Sequence, residues 1–191
     1  MDLVFATNNI HKIREIKVVL GYRYNLLSLE DSNIFEEIPE EEDSLEGNAL
    51  FKARYVYNRT GMTVFADDTG LEVETLGNRP GVYSARYAGI EKNFDANISK
   101  LLKDLDGQNN RSARFRTVIA LIYDDNEILF EGIATGKILT ERRGFGGFGY
   151  DPVFLPDGYE HTFAEMRLEE KNLISHRAKA IRELYSFFEQ H

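Results

Sequence analysis

Phe65-Ala66-Asp67-Asp68-Thr69-Gly70 places two adjacent carboxylates and a hydroxyl at the end of a short run of strand-forming residues. The run at 63–65 is β-branched and aromatic, which favours a strand, and Gly70 predicts that the strand ends in a turn. Successive side chains of a strand point to opposite faces. We therefore expect Asp67 and Asp68 to face different surroundings, so that only one of them need serve a given site.

The chemistry of this segment suits a hard cation. Mg²⁺ binds one or two carboxylates and leaves its other positions to water and to substrate phosphates. The segment therefore favours metal-assisted phosphate chemistry. An ordinary turn explains it about equally well, because Asp and Gly are common turn residues.

The composition limits the class of protein. The chain has 191 residues, of which 42% are hydrophobic, a net charge of −9 and no cysteine. This length predicts one domain, with or without two lobes, over 1–191. The acidic charge argues against nucleic-acid partners and polybasic membrane binding, which require a basic surface. The absence of cysteine excludes disulfides, thiolate nucleophiles and cysteine-based zinc sites.

The chain shows no targeting or membrane-spanning pattern. No apolar run approaches the roughly 18 residues that cross a bilayer, and no basic leader precedes a long apolar stretch. We therefore expect a cytoplasmic protein without a membrane partner, in which the sequons at Asn58 and Asn97 carry no meaning.

Periodicity and turn residues predict an α/β protein with a mixed sheet. Towards the N-terminus, the predicted segments are a strand at 3–6, a turn at 7–9, a helix at 12–20, a strand at 25–29, an acidic loop at 36–43 and a helix from the N-cap Ser44 to 60. Beyond them are a strand at 71–74, a turn at 78–81, a helix at 93–105, a hairpin at 112–139, a glycine loop at 144–149, an extended piece at 152–155 and a helix at 175–189.

The first strand-turn-helix, Thr7-Asn8-Asn9-Ile10-His11-Lys12, is a candidate anion site. Backbone N–H groups at a helix start attract anions, and Lys12 adds a positive charge. The chain lacks the Gly-rich Walker pattern that ends in Gly-Lys-Ser/Thr. A polar turn with a solvated lysine explains the segment about as well.

Asn48 and Lys52 lie four residues apart in the helix predicted at 44–60, on the face opposite its apolar residues. A lysine at this position could reach a phosphate. Taken alone, a solvated lysine is the favoured interpretation, because lysine side chains are mostly exposed.

The loop Gly144-Phe145-Gly146-Gly147-Phe148-Gly149 matches Gly-x-Gly-x-x-Gly. A Rossmann fingerprint must open a helix, whereas Tyr150-Asp151-Pro152 and an extended piece follow here. We interpret it as a flexible loop whose glycines let the backbone approach a ligand. Phe148 or Tyr150 could stack on a planar ring, although Phe148 could equally be core. Asp151 could accept hydrogen bonds from base N–H groups.

Lys171, His176 and Arg177 lie just before and inside the start of the last predicted helix. Cations at a helix N-terminus oppose the helix dipole. This mismatch indicates either an anionic ligand or a loss of helix stability that function requires, although a lone histidine is more often structural.

Six motifs, taken in order, resemble those of the inosine triphosphate pyrophosphatase family, and together they cover residues 3 to about 180. They are Phe5-Ala6-Thr7-Asn8-Asn9 with Lys12, Leu45-Glu46-Gly47-Asn48-Ala49 with Lys52-Ala53, Ala66-Asp67-Asp68-Thr69-Gly70-Leu71, Pro80-Gly81-Val82-Tyr83-Ser84-Ala85-Arg86-Tyr87-Ala88-Gly89, Gly147-Phe148-Gly149-Tyr150-Asp151-Pro152 and Ile174-Ser175-His176-Arg177.

The resemblance implies an elongated α/β protein with a long mixed sheet, flanking helices and two lobes around a central nucleotide cleft. It also implies a homodimer and Mg²⁺-dependent hydrolysis of ITP, dITP and XTP to the monophosphate and pyrophosphate. A non-catalytic nucleotide-binding module and a related pyrophosphatase for modified pyrimidine triphosphates are the alternatives.

Carried over by position, the resemblance implies roles for particular residues. Asp68 would bind the metal and act as the base that activates water. Glu40 would be the second metal carboxylate, with Glu41 and Glu42 as alternatives. The triphosphate would be held by Thr7, Asn8, Asn9, Ile10, His11, Lys12 and Thr69, with help from Lys52. The base pocket and its approach would be formed by Phe148, Gly149, Tyr150, Asp151, Lys171, His176 and Arg177.

Two positions depart from the family's pattern. Asn8 stands where many members have glycine, and Thr69 stands where many have serine. Asparagine tolerates left-handed backbone better than most residues, and threonine keeps the hydroxyl. Both departures are therefore compatible with activity.

Overall fold

The computed structural model describes residues 2–20 and 24–190. Within these ranges the helices are α1 (Ile10–Leu20), α2 (Leu45–Thr60), α3 (Phe94–Asp104), α4 (Leu168–Ile174) and α5 (His176–Gln190). The strands are β1 (Asp2–Phe5), β2 (Asn25–Leu27), β3 (Val64–Val73), β4 (Arg79–Gly81), β5 (Ser112–Tyr123), β6 (Asn126–Ile138) and β7 (Phe154–Pro156). Short 3₁₀ helices occupy Glu74–Leu76, Ser84–Arg86 and Asp151–Val153.

The strands are hydrogen-bonded in the order β2-β1-β3-β5-β6-β7, and β4 pairs with β3. β1 runs parallel to β2 and β3, with Val4 opposite Val64 and Phe5 opposite Phe65. β4 is antiparallel to β3, and β7 is antiparallel to β6. The mixture of parallel and antiparallel pairs, together with the helices, confirms the predicted mixed α/β class.

The chain divides into two compact units, each assembled from separate segments. Unit 1 contains the described residues of Met1–Asp68, Thr117–Gly132 and His176–His191. In its core the rings of Phe5 and Phe65 stack with centroids 4.5 Å apart. The core cluster also contains Leu3, Ile16, Leu20, Ile119, Leu121, Ala180, Ile181 and Leu184. Since Phe65 is fixed by this packing, the position of the aspartates that follow it on β3 is fixed as well.

Unit 2 contains Thr69–Arg116 and Ile133–Ser175. Three rings of its core, those of Phe115, Phe154 and Phe163, contact one another with centroids 4.7 to 6.1 Å apart. The cluster also contains Leu71, Val73, Ile98, Leu101, Leu105, Ala113, Ala134, Ile138, Tyr150, Val153 and Met166. Because Tyr150 belongs to this core, its hydroxyl requires a hydrogen-bond partner inside the protein.

Helix α2 begins and ends where local sequence predicts. The Ser44 side chain accepts a hydrogen bond from the Gly47 amide at 3.0 Å, which satisfies one of the free N–H groups of the first turn. At the other end Gly61 adopts left-handed backbone with φ of 62° and donates its amide to the Tyr57 carbonyl. Both helix boundaries therefore follow from local capping.

The prediction that β3 ends in a turn at Gly70 is wrong. The strand continues to Val73, and Leu71 pairs with Gly81 of β4. A Cβ at position 70 would lie 2.7 Å from the Gly81 carbonyl oxygen. Glycine is therefore required here for close approach of a second backbone, not for a turn.

Other boundaries differ from the predicted ones. Helix α1 begins at Ile10, β2 ends at Leu27, and the predicted extended piece at 152–155 opens with a 3₁₀ helix. Arg79–Gly81 forms a strand instead of remaining in the turn, because it pairs with β3. Helix α4 has no counterpart among the predicted segments. The hairpin of β5 and β6 and the helix at α3 are confirmed.

The glycine loop at 144–149 is followed by the 3₁₀ helix Asp151–Val153 and not by an α-helix, which confirms that it is not a Rossmann fingerprint. In the two ranges that the structure covers, no helix is both long and apolar enough to cross a membrane.

Replacing Gly70 with alanine tests the close approach of β3 and β4. We expect Gly70→Ala to lower the free energy of unfolding by about 1–3 kcal/mol, because the new methyl group overlaps the Gly81 backbone. Gly158→Ala is the control: it introduces backbone strain at φ of 81° but no atom lies within 4 Å of the new methyl group. Urea unfolding of both variants gives the comparison. A smaller loss for Gly70→Ala than for Gly158→Ala would contradict the packing argument.

Candidate active site

The turn between β1 and α1 is built by side chains that bond to its own backbone. Asn9 Oδ1 accepts hydrogen bonds from the amides of His11 and Lys12, at 3.0 and 3.3 Å. The Asn9 amide donates to Thr7 Oγ1 at 3.2 Å. A phosphate bound at this helix start would therefore compete with the Asn9 side chain for two first-turn amides.

Asp67 is held by two cations inside unit 1. Lys12 Nζ lies 2.9 Å from Asp67 Oδ1, and Arg177 Nε lies 3.2 Å from Asp67 Oδ2. Arg177, on α5, also donates to Glu15 of α1. Asp67, Arg177 and Glu15 are all buried, which joins β3, α1 and α5 through one ion network.

The charges around Asp67 outweigh the cost of its burial. Burial alone would raise the pKa of Asp67, but the charges of Lys12, Arg177 and Lys52 hold it far below its ordinary value. Asp67 therefore stays ionised, and removal of its charge would take from half-buried Lys12 the carboxylate that it contacts and leave Arg177 paired with Glu15 alone.

Asp68 lies in a different environment. Its Oδ2 accepts a hydrogen bond from Asn48 Nδ2 at 3.0 Å, and its Oδ1 lies 3.7 Å from Lys52 Nζ. Lys52 Nζ also donates to Glu40 Oε1 and to the Asp67 carbonyl oxygen, both at 2.7 Å. The expectation that the two aspartates have different surroundings is therefore confirmed.

The interpretation of Lys52 as a solvated side chain is wrong. Asn48 and Lys52 are 1% and 5% exposed, so their face of α2 is buried like the apolar face. Asn48 Oδ1 also accepts from the Glu42 amide, which ties the acidic loop to α2. Carboxylates from two other segments compensate the buried ammonium, and helical periodicity alone could not reveal them.

The pKa values in this group are shifted in opposite directions. Burial raises the pKa of Asp68, with a contribution from the Glu40 charge, although Lys52 and Lys12 oppose the shift. Burial alone would lower the pKa of Lys52, but Asp68, Glu40 and Asp67 raise it overall. A carboxylate with a raised pKa next to a cation that stays charged is suited to accept a proton from water.

Two carboxylates in unit 1 could hold a metal ion. Glu40 and Asp68 contact the same Lys52 ammonium, so both reach one small region. In residues 2–20 and 24–190 no cluster of three or more His, Cys, Asp or Glu side chains forms a complete cage. Mg²⁺ takes one or two protein carboxylates and completes its shell with water and phosphate, so this pair fits Mg²⁺. Glu41 and Glu42 are exposed, whereas Glu40 is half-buried and bonded to Lys52, which favours Glu40.

A second group of predicted site residues lies in unit 2. Asp151 Oδ2 accepts from Lys171 Nζ at 2.6 Å and from the Phe148 amide at 2.9 Å, and both Asp151 and Lys171 are buried. The Lys171 ammonium lies 5.2 Å from the centre of the half-buried Phe148 ring. A Cβ on Gly147 would lie 2.0 Å from Asp151 Oδ2, so glycine is needed for the loop to close around this carboxylate.

The expected conflict between Lys171 and a helix dipole is absent. Lys171 belongs to the last turn of α4, where a cation is favoured, and not to the approach of the last helix. His176 is the first residue of α5 and is buried in unit 1, where its backbone packs against Gly132.

The structure thus separates the predicted residues into two groups. Unit 1 contains Thr7, Asn8, Asn9, Ile10, His11, Lys12, Glu40, Lys52, Asp68, His176 and Arg177. Unit 2 contains Thr69, Phe148, Gly149, Tyr150, Asp151 and Lys171. Sequence reasoning assigned no role to Glu15, whose spacing of three residues from Lys12 on α1 was the available signal.

This chain belongs to the Ham1 family, whose model matches residues 3–187. It is 56% identical over 187 residues to a dITP/XTP pyrophosphatase of Christiangramia forsetii, covering 98% of each chain. It is 54% identical over 184 residues to a dITP/XTP pyrophosphatase of Flavobacterium johnsoniae, covering 96% of each. The Ham1 protein of Coxiella burnetii superposes with a TM-score of 0.91 at 34% identity, covering 100% of each chain. These similarities confirm the resemblance that the six motifs indicated.

Replacing Asp67 with asparagine tests the ion network. We expect Asp67→Asn to lower the free energy of unfolding by about 3–5 kcal/mol, because Lys12 and Arg177 lose a fully buried carboxylate that both contact. Glu127→Gln is the matched control, since it removes one charge from an exposed pair with Arg54 and should cost less than about 1 kcal/mol. Equal losses in urea unfolding of the two variants would contradict a structural role for Asp67.

Proposed function

We propose that this protein is a Mg²⁺-dependent nucleoside triphosphate pyrophosphatase that hydrolyses ITP, dITP and XTP to the monophosphate and pyrophosphate. The observation that carries the proposal is the group of Asp68, Lys52 and Glu40: a buried carboxylate, a buried cation and a second carboxylate within reach of that cation. The named activity of the Christiangramia and Flavobacterium relatives supports the choice of substrates.

In the proposed mechanism the side chains of unit 1 act on the phosphates. Bound Mg²⁺ would supply positive charge to the phosphate oxygens and make water more acidic. Asp68 accepts the proton of the water that attacks phosphorus. Lys12 and Lys52 stabilise the negative charge of the pyrophosphate as the α–β phosphoanhydride bond breaks. Glu40 and Asp68 are the carboxylates that would hold the metal.

The unit 2 residues are proposed to select the base. Hypoxanthine and xanthine carry an oxygen acceptor where adenine carries an amino donor. The Lys171 ammonium can donate to that oxygen, whereas it would leave adenine poorly paired. Phe148 is proposed as the ring that stacks on the purine, because it is half-buried whereas Tyr150 is 4% exposed.

The proposal includes a homodimer, which the resemblance implies, and a cytoplasmic setting. The net charge of −9 supports the expectation that nucleic acid and membranes are not partners. A molar mass near twice that of the 21.9 kDa chain in light scattering would support the dimer. A value equal to one chain at working concentration would contradict it.

A substrate panel tests the reaction and its specificity. With Mg²⁺ we expect ITP, dITP and XTP to yield monophosphate and pyrophosphate, and ATP and GTP to remain nearly unchanged, because the proposed donors fit an oxo-purine. Anion-exchange chromatography identifies the products, and EDTA provides the metal-free control. Nucleoside diphosphate and phosphate as products would contradict the bond assignment. Turnover of modified pyrimidine triphosphates alone would favour the related enzyme, and binding without turnover would favour a non-catalytic module.

Replacing Asp68 with asparagine tests the proposed base. We expect Asp68→Asn to lower kcat for ITP by at least about 10²-fold, because the amide cannot accept the proton at neutral pH. Asp157→Asn removes a charge from an exposed turn and should leave kcat within about twofold of the wild type. Near wild-type turnover by Asp68→Asn would overturn its assignment.

A further inference from the structure

Ser84 connects separate backbone segments of unit 2. It is 8% exposed and opens the 3₁₀ helix Ser84–Arg86. Its hydroxyl accepts from the Leu71 amide of β3 at 2.8 Å and donates to the Gly81 carbonyl of β4 at 2.6 Å. This one side chain therefore ties the 3₁₀ helix to both strands.

The Ser84 carbonyl oxygen receives two further side chains. The Tyr150 hydroxyl donates to it at 2.9 Å, and Asn97 Nδ2 of α3 lies 3.4 Å away. Asn97, which is 2% exposed, also donates to the Ala85 carbonyl at 2.9 Å and accepts from the Ala88 amide at 2.7 Å. Asn97 therefore fixes the segment that presents the Ser84 carbonyl to Tyr150.

Tyr150 lies within the turn that carries the proposed base-binding residues. The next residue, Asp151, binds the Phe148 amide and Lys171 through its carboxylate. The Tyr150 carbonyl oxygen accepts a hydrogen bond from the Val153 amide at 3.0 Å. A constraint on the Tyr150 side chain is therefore a constraint on the turn at 148–151.

A phenylalanine at position 150 would fill the same core volume without a polar group to satisfy. Burying a hydroxyl is unfavourable unless it is hydrogen-bonded, so the phenol of Tyr150 fits the core only when the Ser84 carbonyl is in place. Burial also raises the pKa of Tyr150, which keeps the hydroxyl protonated and able to donate. The hydrogen bond from Tyr150 to the Ser84 carbonyl therefore fixes the orientation of the ring, which packing of an apolar ring alone would not do.

We propose that Tyr150, Ser84 and Asn97 form a positioning network that holds the 148–151 turn in the conformation that recognises the purine. This inference rests on the proposed function and extends it to Ser84 and Asn97, which the motifs left without a role. A turn that is ordered before the substrate arrives does not have to be ordered on binding, so the network favours binding of the base. It has no direct part in the chemistry at phosphorus.

Tyr150→Phe removes one oxygen atom and tests the network by its effect on substrate binding. We expect KM for ITP to rise about five- to tenfold, with kcat within about twofold of the wild type. Ribose 5-triphosphate, which carries the same phosphates but no base, should show an unchanged KM. A merely destabilised protein would show the same loss with both substrates, and that result would overturn the proposal.

Tyr55→Phe is the control. Tyr55 lies on α2 in unit 1, and its hydroxyl donates to Glu36 at 2.7 Å. The same chemical change at this position should leave KM for ITP unaltered. A rise in KM equal to that of Tyr150→Phe would show a general effect of losing a tyrosine hydroxyl and would contradict the proposal.

Hydrogen exchange tests the network without relying on turnover. In Tyr150→Phe the amides of Phe148 and Asp151 should exchange about five- to tenfold faster, while amides of α2 keep their wild-type rates. Unchanged exchange in the turn would overturn the positioning role even if the wild type hydrolyses ITP. Failure of the wild type to hydrolyse any nucleotide would instead overturn the proposed function, so the two failures are distinguishable.

Discussion

The buried pairing of Asp67 with Lys12 and Arg177 is the constraint on which the rest of unit 1 depends. It joins β3 to α1 and α5, and Glu15 is a second carboxylate partner of Arg177. An ion network at this depth is costly unless every member is paired, so the positions of the two helices and the strand are set together. The backbone of Asp68 is therefore held in place by the ion pairs of its neighbour Asp67 and does not depend on the Asp68 carboxylate.

Two neighbouring aspartates can therefore have different roles, because their carboxylates have different partners. Asp67 is stabilised as an ion by surrounding cations, whereas burial raises the pKa of Asp68. Lys52 links the two, since it donates to the Asp67 carbonyl and lies near the Asp68 carboxylate. Unit 2 contains a similar pair of neighbours. The Tyr150 hydroxyl is fixed by a neutral hydrogen bond to the Ser84 carbonyl, and the next residue, Asp151, pairs with Lys171.

Sequence reasoning succeeded where the determining contact is local. The Ser44 cap, the Gly61 stop and the β5–β6 hairpin could be predicted because each depends on residues a few positions apart. It failed where the partner comes from elsewhere in the chain. Gly70 indicated a turn because its partner, Gly81, reaches it only through strand pairing.

The same limit applies to the candidate site. The motifs indicated the candidate site residues, but burial of Lys52 depends on Glu40 and Asp68, which come from other segments. The role of Tyr150 depends on the carbonyl of Ser84, and no residue pattern encodes a backbone acceptor 66 positions away. Helix α4 was missed because its seven residues are too few to show a clear helical periodicity.

Asp67 supports the structure of unit 1, whereas Asp68 is the carboxylate that we propose for the reaction. The most direct test is the free energy of unfolding of Asp68→Asn, measured in urea beside the wild type. We expect a value within about 1 kcal/mol of the wild type, because an amide can keep the contact with Asn48 and Lys52 retains Glu40. A loss of several kcal/mol would contradict these separate roles, since it would make Asp68 a structural ion-pair partner like its neighbour.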